Sequence, residues 1–415
     1  MANRIIDYKD PGGVIAKEAL MQLENNLVLG NLVHKEYKNE FKKIGDTVNI
    51  RRPVKFFTSD GATRVNQDVE EGSTNIVMNQ RKHVSWKFST QDLTLRVEEY
   101  SERYIRPAMI TLGNTVDKFL ASLYTKIWNS TGTPGTTPST FALVSTAAQR
   151  LDEMAVSGED RFAALSPVAA WGIAGNQTTL LQQEMVKGAY RKAAIGDVAG
   201  FATYRSQNVP NHTVGVATGT PLVNGAAQNV TYANADDVYS QSLITDGWTN
   251  STTGILKAGD VFTIAGVFAV NPVPGEGATG KTVMSYLQQF TVLADANSGA
   301  TTGPATLTIS PAIITSGPYQ TVSAAPADNA AITVRGTGGV AYPQNLTLHK
   351  NAIALVTVPI EMPDGVAFKG RATANGLSVR IVKDYDINAD DDVIRVDTLY
   401  GGAVIYPDLG NRLWG

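Results

Sequence analysis

The sequence predicts an α+β protein in which an all-β module interrupts a mixed α and β pattern. Apolar residues recur at helical spacing in two segments before residue 130, and they alternate in residues 47–89 and again after residue 345. Between residues 214 and 345, 10 of 132 residues are charged, against 63 of the remaining 283. Because the mixed pattern resumes after this charge-poor segment, an insertion is favoured over a terminal domain.

The N-terminal region begins with a short amphipathic arm. Residues 14–29 carry apolar side chains at helical spacing, and Gly30 is the predicted stop of this helix. From Gly45 to about Ser89 the pattern changes to alternating stretches, which are separated by the polar segment Thr58–Thr74. This arrangement predicts a long hairpin loop.

The middle of this hairpin, SDGATRVNQDVEEGST, is too polar to bury itself. We expect it either to move in solvent or to lie on something outside its own subunit. The rings of Phe56 and Phe57 flank the polar tip, and a neighbouring subunit is their expected apolar partner. The candidate contacts between subunits are therefore Phe56, Phe57, Arg64, Glu70 and Glu71.

The strongest helical signal covers residues from about Gln91 to Asn129, with an apolar stripe that includes Leu112, Val116 and Leu120. Pro107 is expected to kink this helix or to split it in two. The part after Pro107 has about 22 residues and would be roughly 33 Å long at 1.5 Å per residue. A Gly, Pro and Thr linker follows, and helical patterns return at residues 145–156 and 176–194.

Residues 214–345 carry short β-like runs between clusters of Gly, Pro, Asn and Ser. This texture is typical of a small antiparallel barrel or sandwich. Punctuation by Pro or Asn at SQNVPN and NLTLHK places the boundaries near residues 215 and 340. The runs are VFTIAGVFAV, YLQQFTVLA, ATLTISPAII and AAITVRG.

Within this module, residues 275–282 read GEGATGKT and match the phosphate-binding pattern GxxxxGK[ST] in full. Such a loop works at the start of a helix that follows a parallel strand. Here VMSYLQQFTVLAD follows, with β-branched and aromatic residues and no helix capping, and Asp295 is only 13 residues beyond Thr282. A variable turn is therefore the favoured interpretation, and a P-loop NTPase is kept as a remote alternative.

Other patterns that resemble metal or catalytic sites are weak. Asp384, Asp386 and Asn388 imitate the first ligands of a calcium-binding loop, but Ala389 and Arg395 stand where that loop needs Gly and Glu. A polar turn between two strands explains these acids without an ion. No zinc motif or nucleophile elbow is present. We predict no catalytic residue, no metal site and no cofactor, and we expect ordinary polar or packing roles for the scattered histidines His34, His83, His212 and His349.

The overall composition narrows the class of protein further. Lys and Arg number 35 and Asp and Glu 38, so a net charge of -3 provides no electrostatic reason to bind nucleic acid over a large surface. The 415 residues include no cysteine, which excludes disulfides and thiolate sites. The N-terminus lacks the apolar core of a signal peptide, and the longest apolar runs are shorter than the roughly 18 residues that span a bilayer. We expect a protein made and kept in the cytoplasm, without membrane contact.

Four segments, in the same order along the chain, resemble the coat proteins of short-tailed Salmonella phages and their relatives. The strongest is NLTLHKNAIALVTVPIEMP at residues 345–363, which is similar to the HK-Asn/Asp-Ala signature of that family. A fifth segment, GDVFTIAGVFAVNP at residues 259–272, looks like the first strands of the family's inserted domain. The other three are residues 24–54, 198–210 and 383–413.

The resemblance implies the Hong Kong 97 (HK-97) capsid fold with an inserted all-β barrel domain. The independent reading of the sequence has the arm, hairpin, long helix, linker and inserted β-module in the expected order. The implied divisions are an N-terminal arm (1–44), an extended loop with flanking strands (45–89), the spine helix of a peripheral domain (90–130), the first part of an axial domain (131–214), the inserted barrel (215–340), the second axial part (341–377) and the C-terminal strands of the peripheral domain (378–415).

The same resemblance implies a non-enzymatic major capsid protein that self-assembles into the icosahedral shell of a tailed bacteriophage. Hexamers and pentamers of this chain would enclose double-stranded DNA without sequence-specific binding. A scaffolding protein and a portal protein are the expected partners, with assembly in the host cytoplasm and a final location in the virion. The alternative within this fold is the shell of a cellular nanocompartment, which the insertion disfavours.

Overall fold

In the computed structural model the chain divides into two compact units, each built from several segments. Described are residues 11–35, 47–69, 71–89, 104–177, 196–232, 240–273, 275, 277–374, 376–387 and 391–415. The first unit consists of Met1–Val48, Ile76–Leu120 and Ile353–Ala403. The second consists of Asn49–Asn75, Ala121–Ala352 and Val404–Gly415.

The arm of the first unit forms helix α1 (Pro11–Asn26) and the short helix α2 (Leu29–Leu32). Leu20 and Leu23 are buried at the spacing that brings side chains to one helix face. The prediction that Gly30 stops the first helix was wrong, since α1 ends at Asn26 and Gly30 lies inside α2. The physical reason is a carboxylate: Asp117 accepts hydrogen bonds from the backbone N–H groups of Val28 (2.7 Å) and Gly30 (2.9 Å) and holds the chain in a turn.

Helix α3 (Arg106–Ser122) corresponds to the predicted spine helix, but it is shorter than expected. Pro107 lies in its first turn, where a missing N–H costs nothing, so Pro107 does not kink the described helix. A 3-10 turn at Leu123–Lys126 replaces the predicted continuation to Asn129. The predicted part before residue 104 lies outside the described residues.

A five-stranded sheet completes the first unit. Its long central strand β20 pairs with β3, β17 and β19, and β18 follows β19. Residues 387–390 connect β19 to β20, as predicted from the polar turn between two strands. Tyr400 is buried against Phe119 with ring centroids 5.4 Å apart in an edge-to-face arrangement. The strands are β3 (Gln80–Ser89), β17 (Ile353–Thr357), β18 (Phe368–Ala374), β19 (Leu377–Asp386) and β20 (Asp391–Val404).

The second unit contains a six-stranded mixed sheet with strand order β4-β21-β16-β5-β7-β6. Pairs β5 with β7 and β21 with β4 are parallel, and the other pairs are antiparallel. These strands are β4 (Ser130–Thr131), β5 (Arg161–Leu165), β6 (Asp197–Val198), β7 (Phe201–Arg205), β16 (Asn345–His349) and β21 (Gly410–Leu413).

Two helices accompany this mixed sheet, α4 (Phe141–Glu153) and α5 (Pro167–Gln177). Helix α4 starts four residues before the predicted segment 145–156 because Thr140 caps it, its Oγ1 accepting from the Leu143 N–H at 3.3 Å. The sequence reading missed most of α5. Of the predicted segment 176–194, residues 178–194 lie outside the described residues.

The charge-poor segment folds into a second six-stranded sheet of antiparallel pairs, with order β14-β11-β12-β13-β10-β9. Its edge strands come together at a bridge between Leu222 and Ala331, and the Val223 N–H donates to the Ala330 carbonyl at 3.0 Å, so the sheet is nearly closed. The four predicted runs correspond to β11–β14, whereas β9 and β10 were not predicted. The strands are β9 (Gly219–Val223), β10 (Gln241–Trp248), β11 (Val261–Val270), β12 (Val283–Val292), β13 (Ala305–Ser310) and β14 (Ile332–Val334).

The nearly closed sheet has an apolar core of its own. Every member of the buried cluster, among them Trp248, Phe262 and Phe290, comes from residues 223–332. The chain enters and leaves this segment through two short strands that pair with each other, β8 (Asn211–Thr213) and β15 (Ala341–Pro343). The two connections are therefore adjacent, as the sequence predicted.

The predicted hairpin is present as strands β1 (Thr47–Arg51) and β2 (Ser73–Val77), which pair in a two-stranded sheet. The described residues between them, here called the extended loop (52–72), contain no regular strand.

Candidate functional site

The extended loop carries the residues predicted to contact other subunits. Phe56 is 48% exposed, Phe57 is half-buried and Arg64 is exposed. Glu71 forms an exposed ion pair with Arg51, 3.6 Å apart, which contributes little to stability. Glu70 lies outside the described residues. The structure therefore brings Phe56 and Arg64 to one exposed segment of the chain and uses Glu71 at the base of the hairpin.

The loop is braced internally by Gln67. Its Oε1 accepts from the Phe57 N–H at 2.9 Å, and its Nε2 donates to the Phe57 carbonyl at 2.7 Å. A side-chain amide thus completes the backbone hydrogen bonds of Phe57, as a paired strand would. The apex between these two residues is exposed and has a defined conformation at its base.

The loop also rests on its own chain, which corrects the expectation that only solvent or another subunit would meet it. The Thr58 N–H donates to the Gly275 carbonyl (3.2 Å), and the Gly277 N–H donates to the Thr58 carbonyl (2.8 Å). The Lys55 N–H donates to the Tyr319 hydroxyl at 3.3 Å. The polar segment satisfies its backbone groups on the neighbouring turns of the second unit, a pairing distant in sequence that spacing cannot predict.

Two stacked tyrosines support the other end of the loop. The rings of Tyr232 and Tyr319 are 3.8 Å apart and 7° from parallel. A Cβ atom at Gly72 would come within 2.2 Å of the Tyr232 hydroxyl, so only glycine allows this close approach. The extended loop is thereby held against the β-rich part of the second unit at both of its ends.

The GEGATGKT segment is the connection between antiparallel strands β11 and β12. No helix follows Thr282, because β12 begins at Val283. The Lys281 ammonium is buried and donates to the Gln320 carbonyl at 3.0 Å. The structure thus confirms the turn predicted here, and it lacks the strand and helix that would present backbone amides to a phosphate.

A buried polar network that the sequence reading missed lies where β8 meets the β-rich part of the second unit. His212 Nε2 lies 2.7 Å from Asp260 Oδ1, and His212 Nδ1 lies 2.8 Å from the Tyr124 hydroxyl. The second Asp260 oxygen accepts from the N–H groups of Gly215 (3.0 Å) and Lys257 (2.7 Å). His212 and Asp260 are 48 residues apart, so no local motif could have revealed the pair.

Beside this network Arg412 is completely enclosed. Its guanidinium donates to the Gly259 carbonyl and the Thr291 hydroxyl, and it lies 5.1 Å from the centre of the Tyr124 ring. Burial lowers the pKa of Arg412 to about 10, with Tyr124 and Asp260 acting in the opposite direction, so the guanidinium stays charged at neutral pH. These contacts attach the C-terminal strand to the charge-poor segment.

The remaining candidates for chemistry stay separate. Asp384 and Asp386 are exposed near the end of β19, and Asn388 is outside the described residues. Within the described ranges, no group of three or more His, Cys, Asp or Glu residues could hold a metal ion. In the same part of the chain, no helix is both long and apolar enough to cross a membrane.

Comparison with known proteins identifies first the class and then the family. The "Major capsid protein" of Acyrthosiphon pisum secondary endosymbiont phage 1 is 27% identical over 292 residues, which is 69% of this chain and 68% of that protein. The family described as "P22 coat protein - gene protein 5" matches residues 8–415. The chain belongs to this family, and its function is that of a phage major capsid protein.

Solved structures from phages align over nearly the whole chain at low sequence identity. A structure from Mycobacterium phage Che8 has a TM-score of 0.47 and 14% identity, covering 93% of this chain and 90% of the other. The capsid of Cyanophage P-SCSP1u has a TM-score of 0.46 and 10% identity, covering 100% and 91%.

Proposed function

We propose that this chain assembles as hexamers and pentamers into the closed icosahedral shell of a tailed phage. The observation that carries the proposal is a full-length family match combined with an extended loop that is held at its base and exposed at its apex. Phe56, Val65 and Val69 are 48%, 53% and 65% exposed there. Apolar side chains on a braced, protruding loop favour contact with another copy of the chain. Each contact can be weak, because a closed shell multiplies it.

The architecture that accompanies this function is the HK-97 capsid fold with an inserted β-barrel. Helix α3 would be the spine helix of the peripheral domain, the mixed sheet with α4 and α5 would belong to the axial domain, and the nearly closed sheet would be the inserted barrel. An apolar core drawn only from residues 223–332 and the pairing of β8 with β15 support this last assignment.

The shell would enclose double-stranded DNA without reading its sequence. A net charge of -3 suits an inner wall that does not adsorb packaged DNA. Assembly takes place in the host cytoplasm with a scaffolding protein and a portal protein, and the chain acts through its interfaces rather than as an enzyme.

Electron microscopy and sedimentation of the purified protein, alone and with its scaffolding partner, test the proposal. We expect capsomers or closed icosahedral particles, with DNA inside particles taken from infected cells. Monomers alone at assembly concentrations, even with the scaffold present, would contradict it. Cargo protein in place of DNA would indicate a nanocompartment.

A further inference from the structure

A cleft lies beneath the extended loop, within the second unit. Its volume is about 510 Å³ including the solvent in its mouth. Apolar side chains form much of the wall, including Trp128, Pro311 and Tyr319. Charged and polar groups enter from three different segments: Lys55 from the loop, Lys281 and Gln320 from the β-rich part, and Asp408 near the C-terminus. Apolar walls with a few convergent polar groups are the usual composition of a binding site for small ligands.

Lys281 is the unusual member of this set. Its side chain is buried, and its ammonium group makes one hydrogen bond, to the Gln320 carbonyl at 3.0 Å. Among the described residues, no carboxylate oxygen lies within 4.0 Å of Lys281 Nζ. An ammonium group has three N–H donors, and burying it without a counter-ion is costly. The donors that Gln320 does not use are available to an anion.

The other charges in the cleft favour an anion of low charge. Lys55 and Lys281 bring two positive charges and Asp408 one negative charge, which leaves an excess of one positive charge. Burial lowers the pKa of Lys281 to about 8, Lys55 lowers it further, and Asp408 opposes both. A monoanion would restore balance, whereas Asp408 would repel the second charge of a phosphate group.

The rest of the cleft adds shape to this charge. The Gln320 side chain is buried, and its Oε1 has no hydrogen-bond partner among the described residues, so a ligand donor would be accepted there. Trp128, Tyr319 and Pro311 offer flat apolar surfaces to a carbon skeleton. A phosphate has no apolar part that would use them, and no helix N-terminus faces it here.

We propose that this cleft binds a carboxylate attached to an apolar stem, with the Lys281 ammonium as the group that receives the charge. The shared chemistry has two possible sources, a free small carboxylate or a carboxylate of another copy of the chain. In either case the ligand would lie between Lys55 of the extended loop and Lys281, and would link the loop to the β-rich part. This inference concerns a site that the proposed shell function does not require.

The test uses the full-length unassembled protein with benzoate and hexanoate as probes. Ligand-detected NMR and calorimetry measure binding to the native protein and to Lys281→Met, with Lys257→Met as the matched control, since Lys257 is an exposed lysine of the same β-rich part. We expect saturable binding that weakens at least tenfold in Lys281→Met, that is unchanged in Lys257→Met, and that inorganic phosphate does not displace. Equal binding in the native protein and in Lys281→Met would overturn the proposal.

A second measurement needs no variant. Acetylation of the native protein by acetic anhydride, followed by peptide mass spectrometry, reports access to Lys281, and benzoate should protect Lys281 but not Lys257. Carbodiimide treatment of assembled particles distinguishes the sources: a cross-link from Lys281 to an acidic residue of another copy indicates a protein carboxylate, and retained benzoate protection indicates a free ligand. The absence of both the protection and the cross-link would refute the site.

Discussion

Arg412 Nη1 lies 2.5 Å from the carbonyl oxygen of Gly259, although the two residues are 153 positions apart. Arg412 is only 1% exposed, and its second terminal nitrogen donates to Thr291 Oγ1 at 3.2 Å. A charged side chain buried this deeply is stable only while its partners remain in place. The contact therefore makes the last strand of the chain a part of the structure that holds the β-rich segment.

Arg412→Met tests this relationship. The substitution keeps an unbranched apolar stem and removes the donors, so the carbonyl of Gly259 loses a buried partner. We expect the free energy of unfolding to fall by about 2–4 kcal/mol, in line with the loss of hydrogen bonds to a charged group. Urea unfolding measures the change. The exposed Arg371→Met is the control and should stay within about 0.5 kcal/mol of the native protein; a similar small effect at Arg412 would show that its contacts add nothing.

A second prediction concerns pH and the buried carboxylate of Asp397. Burial by itself would raise the pKa of Asp397, but hydrogen bonds from Arg380 and Arg395 outweigh it and bring the pKa below its ordinary value of 3.8. Arg395 Nε lies 2.6 Å from Asp397 Oδ1, and Arg380 donates to Oδ2. A lowered pKa in the folded state stabilises the fold above the ordinary pKa, and this stabilisation disappears as the pH falls through the lowered value.

Asp397→Asn should therefore destabilise the protein by about 2–4 kcal/mol at pH 7, because two arginines lose a buried counter-charge. The difference between the native protein and the variant should shrink as the pH falls below about 4, where the native carboxylate gains its proton. Unfolding at pH 7, 5 and 3 measures both effects. Asp364→Asn, at an exposed ion pair with Lys369, is the control without an expected effect. A pH-independent difference would contradict the explanation.

Phe56→Ser is predicted to impair assembly more than folding. Phe56 is 48% exposed in the single chain, so its removal exposes little of the core, whereas a neighbouring subunit would lose an apolar contact. Sedimentation and electron microscopy report particle yield, and thermal melting reports the stability of the subunit. Phe268→Ser is a matched control, because Phe268 is 38% exposed on β11, away from the apex. Equal losses of stability and assembly for Phe56→Ser would place Phe56 in the intramolecular core.

The segment from residue 215 to residue 340 is predicted to fold when excised. Its buried cluster draws on residues 223–332 alone, and its two ends leave through the paired strands β8 and β15. A chain of this length buries roughly two thirds of the surface that it exposes when unfolded, which is enough for independent stability. Dispersed amide signals in heteronuclear NMR and a cooperative melt are the expected result.

Loss of the contacts to His212, Ser130 and Arg412 on excision should lower the melting temperature without abolishing the cooperative transition. Asp260 would be exposed by the cut, since His212 is its partner in the intact chain. A collapsed, non-cooperative segment would show that these contacts are required for folding and that the boundary is wrong.

Most regular elements could be predicted because their signals are local. The alternation in VFTIAGVFAV coincides with β11, and the spacing of Leu20 and Leu23 identified the buried face of α1. The ends of helices were less predictable, because they depend on distant groups. Gly30 did not end a helix, since Asp117 accepts hydrogen bonds there from 87 residues away.

The sequence by itself determined the class of this protein, through the order of its elements, the charge-poor insertion and the four segments that resemble phage coat proteins. It also determined that GEGATGKT is a turn, because the residues after Thr282 favour a strand. Only the tertiary structure decided where that turn lies and what it contacts. The attachment of the extended loop at Thr58, the His212 and Asp260 pair and the cleft at Lys281 all join residues at least 39 positions apart. Hydrogen bonds and buried charges depend on distances in space, and periodicity along a chain carries no information about which distant segments will meet.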